Sequence, residues 1–150
     1  MLEIIKEPNK ILHIKCVPVT DFGEAKKIAD DLLQVIKSIP VRYGFCRKSN
    51  RILNENHWIK EGENKYEILV NPVIVEKRFQ FLQPESCFSL NRKHLLQHFY
   101  IVKRYLWVKV QYQSLEEQLQ EIILRGPNAI YQEIDHLNGI MVSEIGFRVL

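Results

Sequence analysis

Two runs of β-branched and aromatic residues in the middle of the chain constrain its fold more than any other feature. YEILVNPVIVEKRF (66–79) is rich in the residue types that favour strands, with Asn71-Pro72 as punctuation. FYIVKRYLWVKVQY (99–112) alternates for part of its length, with Leu106, Val108 and Val110 expected on one face and Trp107 and Lys109 on the other. Helical patterns bracket these strands. From Asp21 to about Lys37, Ala25, Ile28, Ala29, Leu32, Val35 and Ile36 recur at three- and four-residue spacings and make one apolar stripe. Asp21 with Glu24 resembles a capping box, and Pro40 marks the far boundary. A last helix is expected from about Pro127, stopped by Gly139 after Asn138. SLEEQLQEIIL (114–124) stays open, because Leu115, Leu119, Ile122 and Ile123 fit a helix as well as a strand. Strands flanked by a helix at each end predict an α+β fold.

The 150 residues suffice for one domain with a real core, and no repeat, low-complexity tract or linker divides them, so a single domain over 1–150 is expected. The apolar fraction of 46% and charged fraction of 26% are those of a globular chain. A net charge of +3 gives no strong nucleic-acid signal. No apolar run approaches the ~20 residues of a membrane span, and the N-terminus lacks a signal-peptide core. Cys16, Cys46 and Cys87 are odd in number, widely spaced and without a CxxC pair, which suits a reducing compartment. A cytoplasmic chain of bacterial type, or a mature organellar one, is expected.

The chemistry concentrates in NAIYQEIDHLNG (128–139). QExxH differs by one residue from HExxH, in which two histidines four apart on a helix hold a metal and the glutamate acts as base. Gln132 and His136 share a face at that spacing, and Glu133 lies one residue round from them. Asp135 projects to another side as a supporting group. PESCFSL (84–90) places Cys87 between Glu85 and Ser89, in a loop or strand end between the strand-like regions. His94 and His98 of HLLQH are four apart and form a secondary candidate pair, whereas His13 and His57 have no partner in sequence.

Together ESCFS and QEIDHLNG resemble the EGCLS and HExDHLxG motifs of the peptide deformylases. The opening IIKEPNKILHIKCVPVTDF resembles that family's ILxxPxxxLxxxxxPVxxF, ILVNPVI its VxxNPxI, and VKRYLWVKV its VxRxxxVxV. The similarity runs in the correct order over nearly the whole chain. It implies a deformylase-like fold of antiparallel or mixed sheets around a central C-terminal helix carrying the QExDH motif. It also implies removal of the N-formyl group from N-formylmethionyl polypeptides. The expected cofactor is a divalent metal, iron in the cell with zinc, nickel or cobalt as substitutes.

Carried over residue by residue, the resemblance makes Cys87 and His136 metal ligands and Glu133 the catalytic base. Gln132 falls where the family has its first histidine, and a carboxamide oxygen is a far weaker ligand than imidazole. The backbone of Phe88 takes the formyl-oxygen position of the family's leucine. The GxGxAAxQ loop is replaced by VRYGFCRKSNRIL, in which Gly44 survives and Asn50 is the nearest carboxamide to the oxyanion-stabilising glutamine. Arg104 takes the arginine position near the family's peptide path, either touching substrate or standing exposed on its strand. The chain also stops soon after Gly139, without the longer C-terminal helix of many members. The departures imply weak or altered deformylation; the alternative is an inactive homologue that binds peptide or regulates.

Overall fold

A computed structural model describes the main chain of residues 5–38, 45–47, 52–58, 64–87, 89–90, 99–127 and 130–149, with side chains for those of them outside 35–66. Gly44, Asn50, Phe88, His94 and His98 lie outside the described residues, as does the side chain of His57. A 3-10 turn, Lys10–His13, precedes helix α1, Phe22–Ser38. Strands β1 (Phe45–Arg47), β2 (Ile52–Trp58), β3 (Asn64–Glu85), β4 (Tyr100–Gln113) and β5 (Leu119–Arg125) follow, then α2 (Ile130–Leu137), α3 (Val142–Ile145) and β6 (Phe147–Arg148). Among the described residues, no helix is long and apolar enough to cross a membrane.

The strands hydrogen-bond in the order β1-β2-β3-β4-β5, and β6 joins β4 through Tyr100↔Arg148 and Ile101↔Phe147. Every pairing among the described strands is antiparallel. The organising strand is β3, whose 22 residues pair first with β2 and then with β4. Asn71-Pro72 therefore punctuates without terminating. Asn71 takes a left-handed φ of 52°, the register shifts between Val70 and Val73, and the strand bends and continues. The Asn71 amide gains by this, bonding both main-chain groups of Val19 at 2.8 and 3.1 Å and Gln113 Oε1 at 2.8 Å. The PVxxF and VxxNPxI segments thus meet in space.

Helix α1 follows its pattern closely. The Asp21 carboxylate accepts from the Glu24 amide at 3.1 Å, so the cap forms, and Ala25, Ile28 and Leu32 bury against Val19 and Val70. The ambiguous 114–124 segment resolves as a turn and strand β5, because seven residues of β5 find register with Trp107 to Gln113 of β4. Val108 and Val110 are buried as alternation predicts, but Leu106 is 40% exposed. It lies opposite Phe79, whose φ of 61° breaks the regular pleat and leaves that aromatic in solvent.

Two apolar clusters fix α2 and the cysteine loop. Ile130, Tyr131, Ile134 and Leu137 of α2 pack on Leu69, Val108, Val110, Tyr112 and Leu124 of the sheet. Leu12, Cys87, Leu90, Val102, Met141 and Val142 form the second cluster, bringing the N-terminal turn, the cysteine loop and α3 together. Gly139 ends α2 with φ 78°, and a Cβ there would stand 2.7 Å from the His13 carbonyl oxygen. Glycine is needed for both reasons. The helix α3, which the sequence reading did not anticipate, is held at its start by the Glu144 carboxylate, an acceptor for the Met141 amide at 2.6 Å.

Candidate active site

Strand β3 delivers Glu85 to its end and releases Ser86 and Cys87 into a turn, closed by the Leu90 amide on the Cys87 carbonyl at 3.3 Å. Helix α2 passes beside that turn. The Cys87 Sγ lies 3.1 Å from His136 Nε2, and both side chains are buried. The Ser89 amide donates to the same sulfur at 3.4 Å, a contact that favours thiolate over thiol. Gln132, one turn before His136, donates its Nε2 to the Ser86 carbonyl at 3.4 Å. Cys87, Gln132 and His136 therefore meet where the β3 end lies against α2, and Glu133 is buried on that helix.

This donor set fits a divalent cation only weakly. Typical zinc–sulfur and zinc–nitrogen lengths put S and N roughly 3.5 Å apart around a tetrahedral ion, so the 3.1 Å gap needs to open by only tenths of an ångström. The third position is different: a neutral carboxamide, turned nitrogen-first onto Ser86, replaces an imidazole. Among the described residues, no three histidine, cysteine, aspartate or glutamate side chains gather into a metal-binding group.

Arg104 is not the exposed strand arginine offered as one reading, being 5% exposed. Its Nε and Nη2 donate to the two Glu85 oxygens at 2.6 and 2.8 Å, and its Nη1 to Asp135 Oδ2 at 2.7 Å. The guanidinium is turned inward by these carboxylates and stacks 5.2 Å from the Tyr131 ring. Burial alone would lower the Arg104 pKa, but Glu85 and Asp135 raise it above its ordinary value. Burial pushes the Asp135 carboxyl up, against the pull of Arg104. The Tyr131 phenol, pushed up to about 12 by burial, donates to the Tyr105 carbonyl at 3.1 Å. Asp135 is thus the supporting group its position on α2 suggested. The role of Glu85 was missed, because nothing in local spacing announces a partner 19 residues away.

The turn is also tied to the N-terminus. The Glu7 amide donates to the Ser89 carbonyl at 2.7 Å. His13, which has no partner by sequence spacing, sits between Glu7 at 3.3 Å and Glu144 at 3.2 Å.

Comparison with known proteins agrees with this geometry. A peptide deformylase from Desulfotalea psychrophila is 28% identical over 94% of this chain and 85% of its own length. Peptide deformylase 1 of Bacillus anthracis is 28% identical over 95% and 90%. The Met-Ala-Ser-bound crystal structure of a class I type b peptide deformylase from Acinetobacter baumannii superposes with a TM-score of 0.80 at 24% identity, covering 96% of this chain and 97% of that one. The Thermotoga maritima enzyme gives 0.80 at 23%, with 97% of both chains covered. These structural likenesses show the fold. The polypeptide deformylase family model matches residues 1–145, and the chain belongs to that family.

Proposed function

We propose that this chain is a weak, cation-limited amide hydrolase acting on N-formylmethionyl peptides. The observation that carries the reading is the 3.1 Å approach of Cys87 to His136, with Gln132 on the Ser86 carbonyl beside them and Glu133 buried on the same helix. The family is metal-dependent. Cys87 and His136 would hold a divalent cation here, iron in the cell with zinc or nickel as substitutes, and Gln132 would add a weak third contact. When bound, such a cation would supply Lewis acidity toward a water and a carbonyl oxygen.

Glu133 takes the proton from the attacking water and returns it to the departing amide nitrogen, so the C–N bond breaks to give formate and a free amino terminus. The main chain at Phe88 and Gly44, with the Asn50 carboxamide, is assigned to the formyl oxygen and peptide by resemblance alone. Loss of one such oxyanion donor costs ~10²–10³ in rate, which supports weak turnover. Arg104 works through Glu85 and Asp135, fixing the cysteine turn against α2 as a positioning residue. The chain would act as one domain over 1–150 in a cytoplasmic or organellar compartment, where the Cys87 thiol stays reduced.

The test is metal content of protein purified anaerobically, beside Gln132→His, with both assayed on a formyl-Met peptide. Wild type should load poorly and turn over only with excess cation, and the variant should approach one metal per chain and turn over faster. Metal uptake by neither protein would refute the proposal. A metal-free wild type that stays inactive in excess cation would instead support a peptide-binding homologue, a reading favoured by the carboxamide in the third position.

A further inference from the structure

The main sheet has two edges that sequence alone hides. At one edge stands β1, described over the three residues Phe45–Arg47. At the other, β5 runs for seven residues, LQEIILR, with neither lysine nor proline in it. Leu119, Glu121, Ile123 and Arg125 are all exposed. Strand β6 meets β4 only at Tyr100 and Ile101, well away from the stretch that carries β5.

The main chain says which groups of β5 face outward. The Gly126 amide donates to the Leu106 carbonyl at 2.7 Å and the Ser114 amide to the Gln118 carbonyl at 2.9 Å. These pairs continue the β4–β5 register, so the even-numbered residues of β5 turn their N–H and C=O groups toward β4. The odd-numbered residues, 119 to 125, turn theirs outward. Among the described residues these outward groups meet no other strand.

We propose that this edge pairs antiparallel with the β5 of a second copy of the chain, joining the two sheets. Outward groups must meet outward groups, so odd residues pair with odd residues, and few registers remain. Centring on Glu121 would set it against the partner's Glu121, a like-charge contact. A register one step on places Glu121, which already pairs with Lys109 of its own chain at 3.6 Å, against the partner's Ile123 and leaves Arg125 opposite the partner's Leu119 with no carboxylate across from it. Centring on Ile123 pairs it with the partner's Ile123, and sets Glu121 against the partner's Arg125 on both sides of the two-fold axis. Opposite charges directly across an antiparallel pair stabilise it, and symmetry supplies the contact twice. Pro127, with no N–H, ends the ladder where the strand ends. So narrow an interface gives a weak, concentration-dependent dimer.

Sedimentation velocity over a wide concentration series tests this on the full chain. Wild type should shift from monomer to dimer as concentration rises. Glu121→Arg and Arg125→Glu should each raise the dissociation constant about tenfold or more, and the double exchange should restore it. Ile123→Pro removes an amide that β4 does not use, and should leave a folded monomer by circular dichroism. A wild type that stays monomeric throughout would overturn the proposal and leave the edge to a strand of some other protein. A dimer indifferent to the charge exchange would overturn it equally.

Discussion

Replacing Arg104 with methionine should destabilise the protein far more than an exposed strand arginine could. Methionine keeps much of the side-chain stem and removes the guanidinium, leaving Glu85 without its bidentate partner and Asp135 without its donor. The Arg104 and Glu85 side chains are 6% and 4% exposed, so water replaces little of what is lost. Each bond to a charged group contributes about 1.5–3 kcal/mol, offset in the wild type by the cost of burying three charges. Breaking such a network from one side costs about 3–5 kcal/mol, a large part of the ~5–15 kcal/mol that holds a domain folded. Urea unfolding at pH 7, fitted with a common m-value, reads the loss directly. Arg104→Met combined with Glu85→Leu and Asp135→Asn should recover most of it, because no buried charge then stands alone. Acid should narrow the deficit too. The Asp135 pKa is already raised above its ordinary 3.8, and without Arg104 it rises further, so the penalty grows as pH climbs through that value and fades below it. A loss under about 1 kcal/mol for the single variant, or no recovery in the combined one, would refute the claim that the network fastens the site.

Other outcomes follow from the same contacts. With excess cobalt the wild type should show a thiolate-to-metal absorption that Cys87→Ser lacks while the fold persists; the same spectrum in both would remove Cys87 from the ligand set. Gly139→Ala should destabilise by about 1–3 kcal/mol, since alanine meets both the positive φ and the His13 carbonyl, and a thermal melt equal to wild type would contradict this. The Glu7 hydrogen bond, opposed by desolvation and aided by Glu144, raises the His13 pKa above 6.5. Its stabilising contribution is therefore complete below pH 6.5 and lost as pH rises through the raised value. The melting temperature of wild type relative to His13→Gln should fall across that window, and a pH-independent difference would exclude the contact. Leu137→Ala, which empties a fully buried position under the sheet, should cost about 2–5 kcal/mol in urea unfolding; a loss below 1 kcal/mol would show that α2 packs otherwise.

Periodicity reads well where burial is local. Ala25, Ile28, Ala29 and Leu32 show their helix because one face meets one surface, and Val108 and Val110 show their strand likewise. Leu115, Leu119, Ile122 and Ile123 could not be settled by spacing, because a neighbouring strand supplies the hydrogen bonds that decide between helix and sheet. Leu106 departs from its alternation where β3 carries Phe79, a residue type that rarely adopts positive φ and gives no warning in sequence. The site was legible as two motifs, and folding brings Cys87 and His136 together from 49 residues apart. The burial of Arg104 was not legible, since an arginine on a strand turns inward only if carboxylates await it, and Asp135 stands 31 residues away.

The N-terminal turn and the C-terminal residues clasp one another: the Cys16 amide donates to the Leu137 carbonyl, Leu12 packs with Met141 and Val142, and Gly139 backs onto His13. During synthesis the first of these partners leaves the ribosome more than a hundred residues before the last. Until α3 has emerged, the turn at Lys10–His13 lacks Met141 and Val142 to close against, and the loop holding Cys87 lacks part of its floor. Contacts of such long sequence separation form late, so the cysteine turn should reach its final setting only after translation has passed Val142. Ribosome-bound chains stalled before that point should leave Cys87 open to thiol reagents that the finished protein resists.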